Sequence, residues 1–417
     1  MRFSTAVRNI TRRRLERLGS ADILIGVPCF NNETTIRKVV ATIEAGLMKY
    51  FPEHRSVVVI ADGGSVDDSR EEAEELERSA WIERITTIYR GVPGKGSAVR
   101  AIFESAHILD AKVCALFDSD LRSMTPEWVK CMVDPVLKNE YDFITPYYTR
   151  YKYDGTITNN IVYNLTRALY GYQVRQPIGG DFSFSAHLVK KYIDQQVWET
   201  NVGRFGVDIW LTTMAMVDKV RIAQANLGVK IHDVKDPAEA LGPMFRQVVS
   251  TLLTLMEDNE STWKKVKGSK PVPIIGPSLS VEPQSFSINV DKLIADYQMG
   301  YDHFREIWKK IIQPESFKVI ENLKTGSKEN FHFPVEVWVK VLYDLAVTYH
   351  HWKSDRQLLV NLMTPLYFAR IASFVLATWD KNNGEAEAVV ENQAMLFEQM
   401  KDYLIERWDS EDIPGAA

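Results

Sequence analysis

Two aspartates, Asp118 and Asp120, stand one residue apart behind the apolar run VCALF. Carboxylates at that spacing can share a divalent cation, because Mg²⁺ and Mn²⁺ favour carboxylates together with the phosphate oxygens of a substrate. On a continuing strand both side chains would project to one face. A plainer reading is a strand end followed by a helix at SMTPEW, where Thr125 and Pro126 supply an N-cap and a first-turn proline. The pair alone leaves both readings open.

Five further stretches carry groups of the same chemical kind. ADGGSVDDS ends an apolar run in Asp62 and two glycines, suited to a loop near a base or ribose, or to an ordinary turn. RGVPGKGSAVRA is not a P-loop, but its glycines lead into a helix N-terminus and Lys95 adds a point charge, a place where phosphate can sit. VRQPIGGDFSFS offers Gly179 and Gly180, whose backbone can approach and bind a carboxylate, or make a tight turn. Asp208 in GRFGVDIWLTTMAM begins an apolar helix, for which N-capping is a sufficient explanation. His232 in ANLGVKIHDVKD ends a strand-like alternation, as a structural histidine or as a third metal ligand beside Asp120.

The elements that would position these groups alternate in type. DILIGVPCF, SVVVIADGG, ERITTIYR and KVCALFDSD read as strands. TTIRKVVATIEAGLMKYF, DDSREEAEELERSA and GKGSAVRAIFESAHIL read as helices between them. This pattern predicts an α/β domain, a Rossmann-like and mostly parallel sheet with helices on both faces and ligands at the carboxyl ends of the strands. Asn31, Asp62, Lys95 and Asp118 gather at those ends. Past about residue 240 long amphipathic patterns take over, broken by the Pro/Ser/Gly-rich GSKPVPIIGPSLSVEPQSFS, which predicts irregular chain. The expected division is a catalytic domain over 1–240 and a mainly helical domain over 241–417, serving as a lid, an oligomer interface or both.

Composition narrows the classes. The 417 residues are 45% hydrophobic and 25% charged with a net charge of −5, an ordinary globular balance without the basic face of a general nucleic-acid binder. Three cysteines, Cys29, Cys114 and Cys131, without CxxC spacing fit a reducing cytoplasm better than a disulfide framework. The basic N-terminus MRFSTAVRNITRRRLERLG lacks the apolar core of a secretory signal and reads as a solvated helix rather than a membrane-surface anchor. LLVNLMTPLYFARIASFVLATW contains Asn361, Pro365 and Arg370, so a buried or dimer-forming helix is expected there, not a membrane span.

Taken in order, IGVPCFNNE, ADGGSVDDS, PGKGSAVRA, LFDSDL, QPIGGDFSFS, GVDIWLT and LGVKIHD resemble the motifs of GT-A nucleotide-sugar glycosyltransferases, and within them the mannosylglycerate synthase and glucosyl-3-phosphoglycerate synthase group. The resemblance covers 22 to about 235 well and the helical region loosely. It implies metal-dependent, retaining transfer of a hexose from a nucleotide diphosphate sugar (GDP-mannose, GDP-glucose or UDP-glucose) to a small carboxylate, D-glycerate or 3-phosphoglycerate. By motif, Asp120 and His232 would hold Mg²⁺ or Mn²⁺, and Asp118 would meet the ribose or sugar. Pro28, Glu33, Asp62 and Lys95 would line the nucleotide site. Asp208 would lie near the acceptor hydroxyl. Arg150 and Thr158, with the Ile178 and Gly179 amides, would hold the acceptor carboxylate.

One departure bears on the acceptor. Phosphoglycerate-using relatives resemble GGRVT where this chain has DGTIT, so Thr156 replaces an arginine assignable to phosphate, and glycerate is the expected acceptor. Lys152, Arg175 or Arg204 remain candidates for phosphate. Three other readings stay in view: an inverting transferase with a polysaccharide or lipid-linked acceptor, a sugar nucleotidyltransferase, and a non-catalytic scaffold. The nucleotidyltransferase would need a Gly-rich start after the first strand, where GVPCFNNE stands. A homo-oligomer is expected from the apolar stripe of the helical tail.

Overall fold

The computed structural model describes residues 4–76, 81–231, 242–277 and 282–410. They divide into two compact units, one formed by 1–149, 174–234 and 272–283, the other by 150–173, 235–271 and 284–417. The expected single boundary at residue 240 is therefore replaced by a chain that passes repeatedly between units. Two local causes are clear. The helical stretch after Thr149 pairs with the late helix Asn383–Gln399, and the Pro-rich connection supplies an edge strand to the sheet.

Ten strands are present among the described residues: β1 (Ile23–Cys29), β2 (Ser56–Asp62), β3 (Ile82–Ile88), β4 (Val113–Leu116), β5 (Phe143–Thr149), β6 (Tyr172–Gln173), β7 (Phe182–Ser185), β8 (Ile222–Val229), β9 (Lys270–Pro271) and β10 (Ile274–Ile275). Eight of them form the first unit's sheet in the order β10-β8-β5-β7-β4-β1-β2-β3. β1 is an interior strand, third from the β3 edge, with Ile23 opposite Ser56 of β2 and Val113 of β4, both pairings parallel. Every residue of β1 and β2 is buried, as expected of parallel strands covered on both faces. β7 alone runs antiparallel, inserted between β4 and β5, where Phe182 stacks on Phe143 and Phe184 meets it at a tilt. GSKPVPIIGPSL is less irregular than its composition predicts, since Ile274 and Ile275 pair with Gln224 and Ala225 of β8.

Helices cover the sheet as the alternation predicts. Ile36–Tyr50 and Pro126–Leu137 pack together, placing Val39, Ile43, Leu47, Val129 and Met132 against Ile25, Val27, Val58 and Ile60 in one continuous core. Each such side chain contributes about 1.5–3 kcal/mol on full burial. Lys95–Ile108 and Ala186–Ile193 form a second helix pair. The charged helix expected over 67–80 is short, Ser69–Glu74, and residues 77–80 lie outside the described residues. The N-terminal helix, Asn9–Leu18, is held rather than merely solvated: Thr11 and Leu15 are buried, and Glu104 accepts from the Ala6 amide at 2.9 Å.

The second unit is helical apart from the β6–β9 ribbon. Arg356–Ala377 is long and apolar enough to cross a membrane, yet 78% of its apolar window is buried inside the protein. Within it, burial pushes the Arg370 guanidinium down to about 10, and its protons go to Gln393 Oε1 and the Phe333 carbonyl. These contacts mark an interior helix.

Candidate active site

The carboxyl ends of β4 and β8, the β7 entry loop and two helix N-termini converge on a cluster of five ionisable side chains. β4 stops at Leu116, so Asp118 and Asp120 lie beyond the strand and do not alternate along it as the spacing predicts. Thr35 Oγ1 donates to the Ser119 carbonyl at 2.8 Å and the Ser119 hydroxyl bonds Asn32 at 2.7 Å, which pins the residue between the two acids. Asp118 then accepts two ammonium groups, Lys95 Nζ on Oδ1 at 2.8 Å and Lys230 Nζ on Oδ2 at 2.9 Å.

Lys95 is the first residue of the helix Lys95–Ile108, and its ammonium also donates to the Gly180 carbonyl at 3.0 Å. It stands 3.2 Å from both oxygens of Asp208 but donates to Oδ2, leaving Oδ1 buried without a hydrogen bond. Asp208 sits in the first turn of Val207–Val217, but it does not cap that helix; the N-cap is Gly206 and makes no side-chain bond. Its carboxylate is spent on Lys95 instead.

Behind Asp118 lies a second half that the sequence reading did not pick out. Lys230 Nζ reaches Asp181 Oδ2 at 3.1 Å and the Gly179 carbonyl at 2.9 Å. Asp181 Oδ1 accepts from the Asp118 amide at 2.8 Å, and Oδ2 accepts from the Tyr148 hydroxyl. The signal for both residues was present, in the acid directly after the Gly-Gly pair and in a lysine ending an apolar strand. Neither residue type announces burial by its spacing.

Burial and neighbours set the protonation of the cluster. Burial opposes the charge of Lys95, but Asp118 and Asp208 outweigh it and raise its pKa. Burial likewise works against the Asp118 carboxylate, and the two lysines, Lys230 foremost, overcome it and hold the pKa well below the usual range. For Asp181 and Asp208 burial prevails and both are raised, with Lys230 and Lys95 respectively restraining the rise. Cys29, at the end of β1, is no nucleophile: burial, with Asp62 adding, pushes its thiol up to about 12.

The other expected residues fall as follows. Pro28 is buried in β1 opposite Ala61, one register step from the end of β2. Asp62 is fully buried, and its carboxylate accepts from the Gly64 and Ser65 amides, so it shapes its own loop. Glu33 is exposed and accepts from the Asp68 amide at 3.1 Å. Ile178 and Gly179 sit in the β7 entry loop, where the Gly179 amide is already used by the Gln176 carbonyl at 3.1 Å. The glycines around Lys95 serve packing rather than phosphate: a Cβ on Gly96 would stand 1.8 Å from the Val202 carbonyl oxygen, and the Gly96 amide donates to Arg204.

Arg150, Thr156 and Thr158 belong to the helical unit. Arg150 Nη1 donates to Asp154 Oδ2 at 3.0 Å, and Thr158 opens a π-helical turn, Thr158–Val162. The Thr156 hydroxyl is buried against the Tyr367 hydroxyl at 2.6 Å. Lys152 donates to the carbonyls of Thr378, Trp379 and Lys381.

Among the described residues no three His, Cys, Asp or Glu side chains gather as a metal cage. His232 lies outside the described residues. Asp120 is half-buried and among the described residues has no hydrogen-bond partner, so its oxygens are available to a cation. A free carboxylate of this kind is oxygen-donor chemistry that fits Mg²⁺ or Mn²⁺.

Residues 24–198 match the model of glycosyl transferase family 2. No curated protein matches this chain. Among solved structures, the glucosyl-3-phosphoglycerate synthase of Mycobacterium tuberculosis in complex with Mn²⁺, uridine diphosphate and glucosyl-3-phosphoglycerate is 24% identical with a TM-score of 0.44, covering 61% of this chain and 86% of that one. The same synthase with Mg²⁺ and uridine diphosphate gives 25%, a TM-score of 0.44, 60% and 85%. With Mn²⁺, UDP-glucose and phosphoglyceric acid it gives 23%, a TM-score of 0.43, 61% and 86%. The likeness to glycosyl transferase family 2 thus covers residues 24–198, which carry Lys95, Asp118 and Asp181 of the cluster.

Proposed function

We propose that the protein is a metal-dependent, retaining hexosyltransferase that moves mannose or glucose from a nucleotide diphosphate sugar to D-glycerate. The observation that carries this reading is that every carboxylate of the buried cluster is bound to an ammonium, Asp118 to two, Asp181 to Lys230 and Asp208 to Lys95. An inverting transfer needs a strong general base. Asp118, held far below the usual range by two lysines, is a poor one, and Asp181 and Asp208, though raised by burial, each keep an ammonium on the carboxylate. A retaining transfer has less need of one, because the departing diphosphate can take the acceptor's proton.

Lys95 is the group placed to meet that diphosphate: it is charged throughout the working pH range and stands at a helix N-terminus. Asp120, with His232, would hold Mg²⁺ or Mn²⁺, which when bound would neutralise the leaving group. Pro28, Glu33 and Asp62 would border the nucleotide, Asp118 the ribose or sugar, and Asp208 would orient a hydroxyl through its open oxygen. Arg150 and Thr158, both in the helical unit, would hold the acceptor carboxylate, Arg150 exchanging Asp154 for it. Glycerate is favoured over 3-phosphoglycerate because Thr156 is buried with its hydroxyl against Tyr367, offering no cation, and because Lys152 is committed to three carbonyls.

The test is a transfer assay crossing GDP-mannose, GDP-glucose and UDP-glucose with D-glycerate and 3-phosphoglycerate, with Mg²⁺, Mn²⁺ or EDTA, the product identified by mass and anomeric configuration. A glycosyl-glycerate of retained configuration, lost in EDTA, is expected. Product with 3-phosphoglycerate alone would overturn the acceptor, and an inverted anomer would overturn the mechanism.

A further inference from the structure

Lys95 and Lys230 are arranged about Asp118 as two matched halves. Among the described residues each ammonium has three acceptors: one oxygen of Asp118, one oxygen of a second aspartate, and one carbonyl of the Gly179–Gly180 pair. Three donors thus meet three acceptors on each lysine, so a diphosphate would meet Lys95 by taking the place of one of its acceptors. The halves differ in depth. The Lys95 side chain is 15% exposed and Asp208 12%, whereas Lys230 is 4% and Asp181 0% exposed. The front half is the more exposed, and the rear half is interior.

We propose that Lys230, Asp181 and Tyr148 form a rear support that positions Asp118 for transfer without touching the donor. This rests on the glycosyltransferase reading of the site. Asp181 fixes Asp118 at two points, by accepting its amide and by holding the lysine that grips its Oδ2. Tyr148 completes Asp181 with its hydroxyl and lays its ring 5.1 Å from the Lys230 ammonium. The same lysine ties the Gly179 carbonyl, so the Gly-Gly turn and the acid move as one piece. A buried network of this kind is rigid only while every member is satisfied.

The experiment compares the full-length parent with Lys230→Arg, Lys230→Met and the double variant Asp181→Asn/Lys230→Met. It reads the melting temperature, the affinity for GDP and for UDP with Mn²⁺ by calorimetry, and kcat against donor KM. Lys230→Met alone strands two buried acids and is expected to melt well below the parent. The double variant removes one charge of each sign and is expected to recover most of that loss. In it, nucleotide affinity and donor KM are expected within about threefold of the parent while kcat falls 10- to 100-fold, the pattern of a lost positioning interaction. Lys230→Arg, which can still span both acids, is expected to keep kcat within about tenfold.

A double variant no more stable than Lys230→Met would overturn the Asp181–Lys230 pairing. A parent-like kcat in the double variant would reduce the network to a structural role. Weakened nucleotide binding with unchanged kcat would make Lys230 a direct donor contact. The melting and calorimetric readouts do not depend on transfer, so a parent inactive with every tested sugar pair would count against the proposed function and not against this network.

Discussion

At the residue scale the site turns on how little freedom Asp118 has. Its carboxylate is gripped from two sides, and Gly180 presses on it from a third: with φ at +94°, that glycine places the position of an added Cβ 2.0 Å from Asp118 Oδ2. Gly180→Ala must either move the acid or the turn, and the left-handed conformation adds about 1–2 kcal/mol of its own. A displacement of about 1 Å at a reacting centre can cost about 100-fold. The expected result is therefore a kcat/KM lower by about 10- to 100-fold with the fold retained, read from steady-state kinetics beside a melting curve; parent-like turnover would show that Asp118 is not held for catalysis. Asp120 differs in kind, because it has no protein partner among the described residues to lose. Asp120→Ala is expected to leave the melting temperature within a few degrees of the parent, yet abolish EDTA-sensitive transfer and metal-dependent nucleotide binding. Metal-dependent turnover in that variant would remove Asp120 from the cation site.

At the element scale, the strands and helices that carry the site were legible because each is long and periodic. β1, β2 and the helices Ile36–Tyr50 and Lys95–Ile108 lie where the apolar runs place them. What stayed hidden was the use made of polar residues once the elements met. The Gly-Lys-Gly stretch looked like a phosphate loop, but Gly96 is required by the close approach of Val202, a contact over 100 residues away in the chain. Asp208 looked like a cap and is an ion-pair partner. Asp181 and Lys230 were missed because sequence spacing says nothing about which buried charges will find each other. The helical unit holds a comparable case in Lys401, at the start of Lys401–Trp408, whose ammonium donates to the Trp263 and Val266 carbonyls with no carboxylate in hydrogen-bond reach among the described residues. Burial lowers its pKa to about 8. An unfolded lysine titrates near about 10.4, so between those values the unfolded chain binds more protons and stability rises with pH. Lys401→Met lacks that term. The melting temperature of the parent minus that of the variant is expected to grow from pH 8 to 10, and a flat difference would mean the ammonium is not desolvated.

At the scale of the whole molecule, the chain's path rather than its composition decides what can be separated. The change of character near residue 240 suggested two domains in series, and the packing interleaves them instead. A fragment of residues 1–240 would carry Tyr163–Tyr170, a helix buried along its whole length, without Asn383–Gln399, its packing partner. Arg167 in that helix would lose Glu391 and Glu398, which hold its guanidinium at Nη1 and Nε. The cut also bares the apolar side chains that Asn383–Gln399 covers, at about 1.5–3 kcal/mol for each large one, against a typical net stability of about 5–15 kcal/mol. The same cut deletes Ile274 and Ile275, so the outer edge of β8 is left as an unpaired row of amides and carbonyls, a template for association. The fragment is thus expected to aggregate or to unfold without a cooperative transition, although it contains the full family 2 match and every ionisable side chain of the cluster. Circular dichroism melting and size-exclusion chromatography against the full chain provide the check. A monomeric fragment with a sharp transition and parent-like nucleotide binding would show that the sheet unit folds without the helices interleaved with it in sequence.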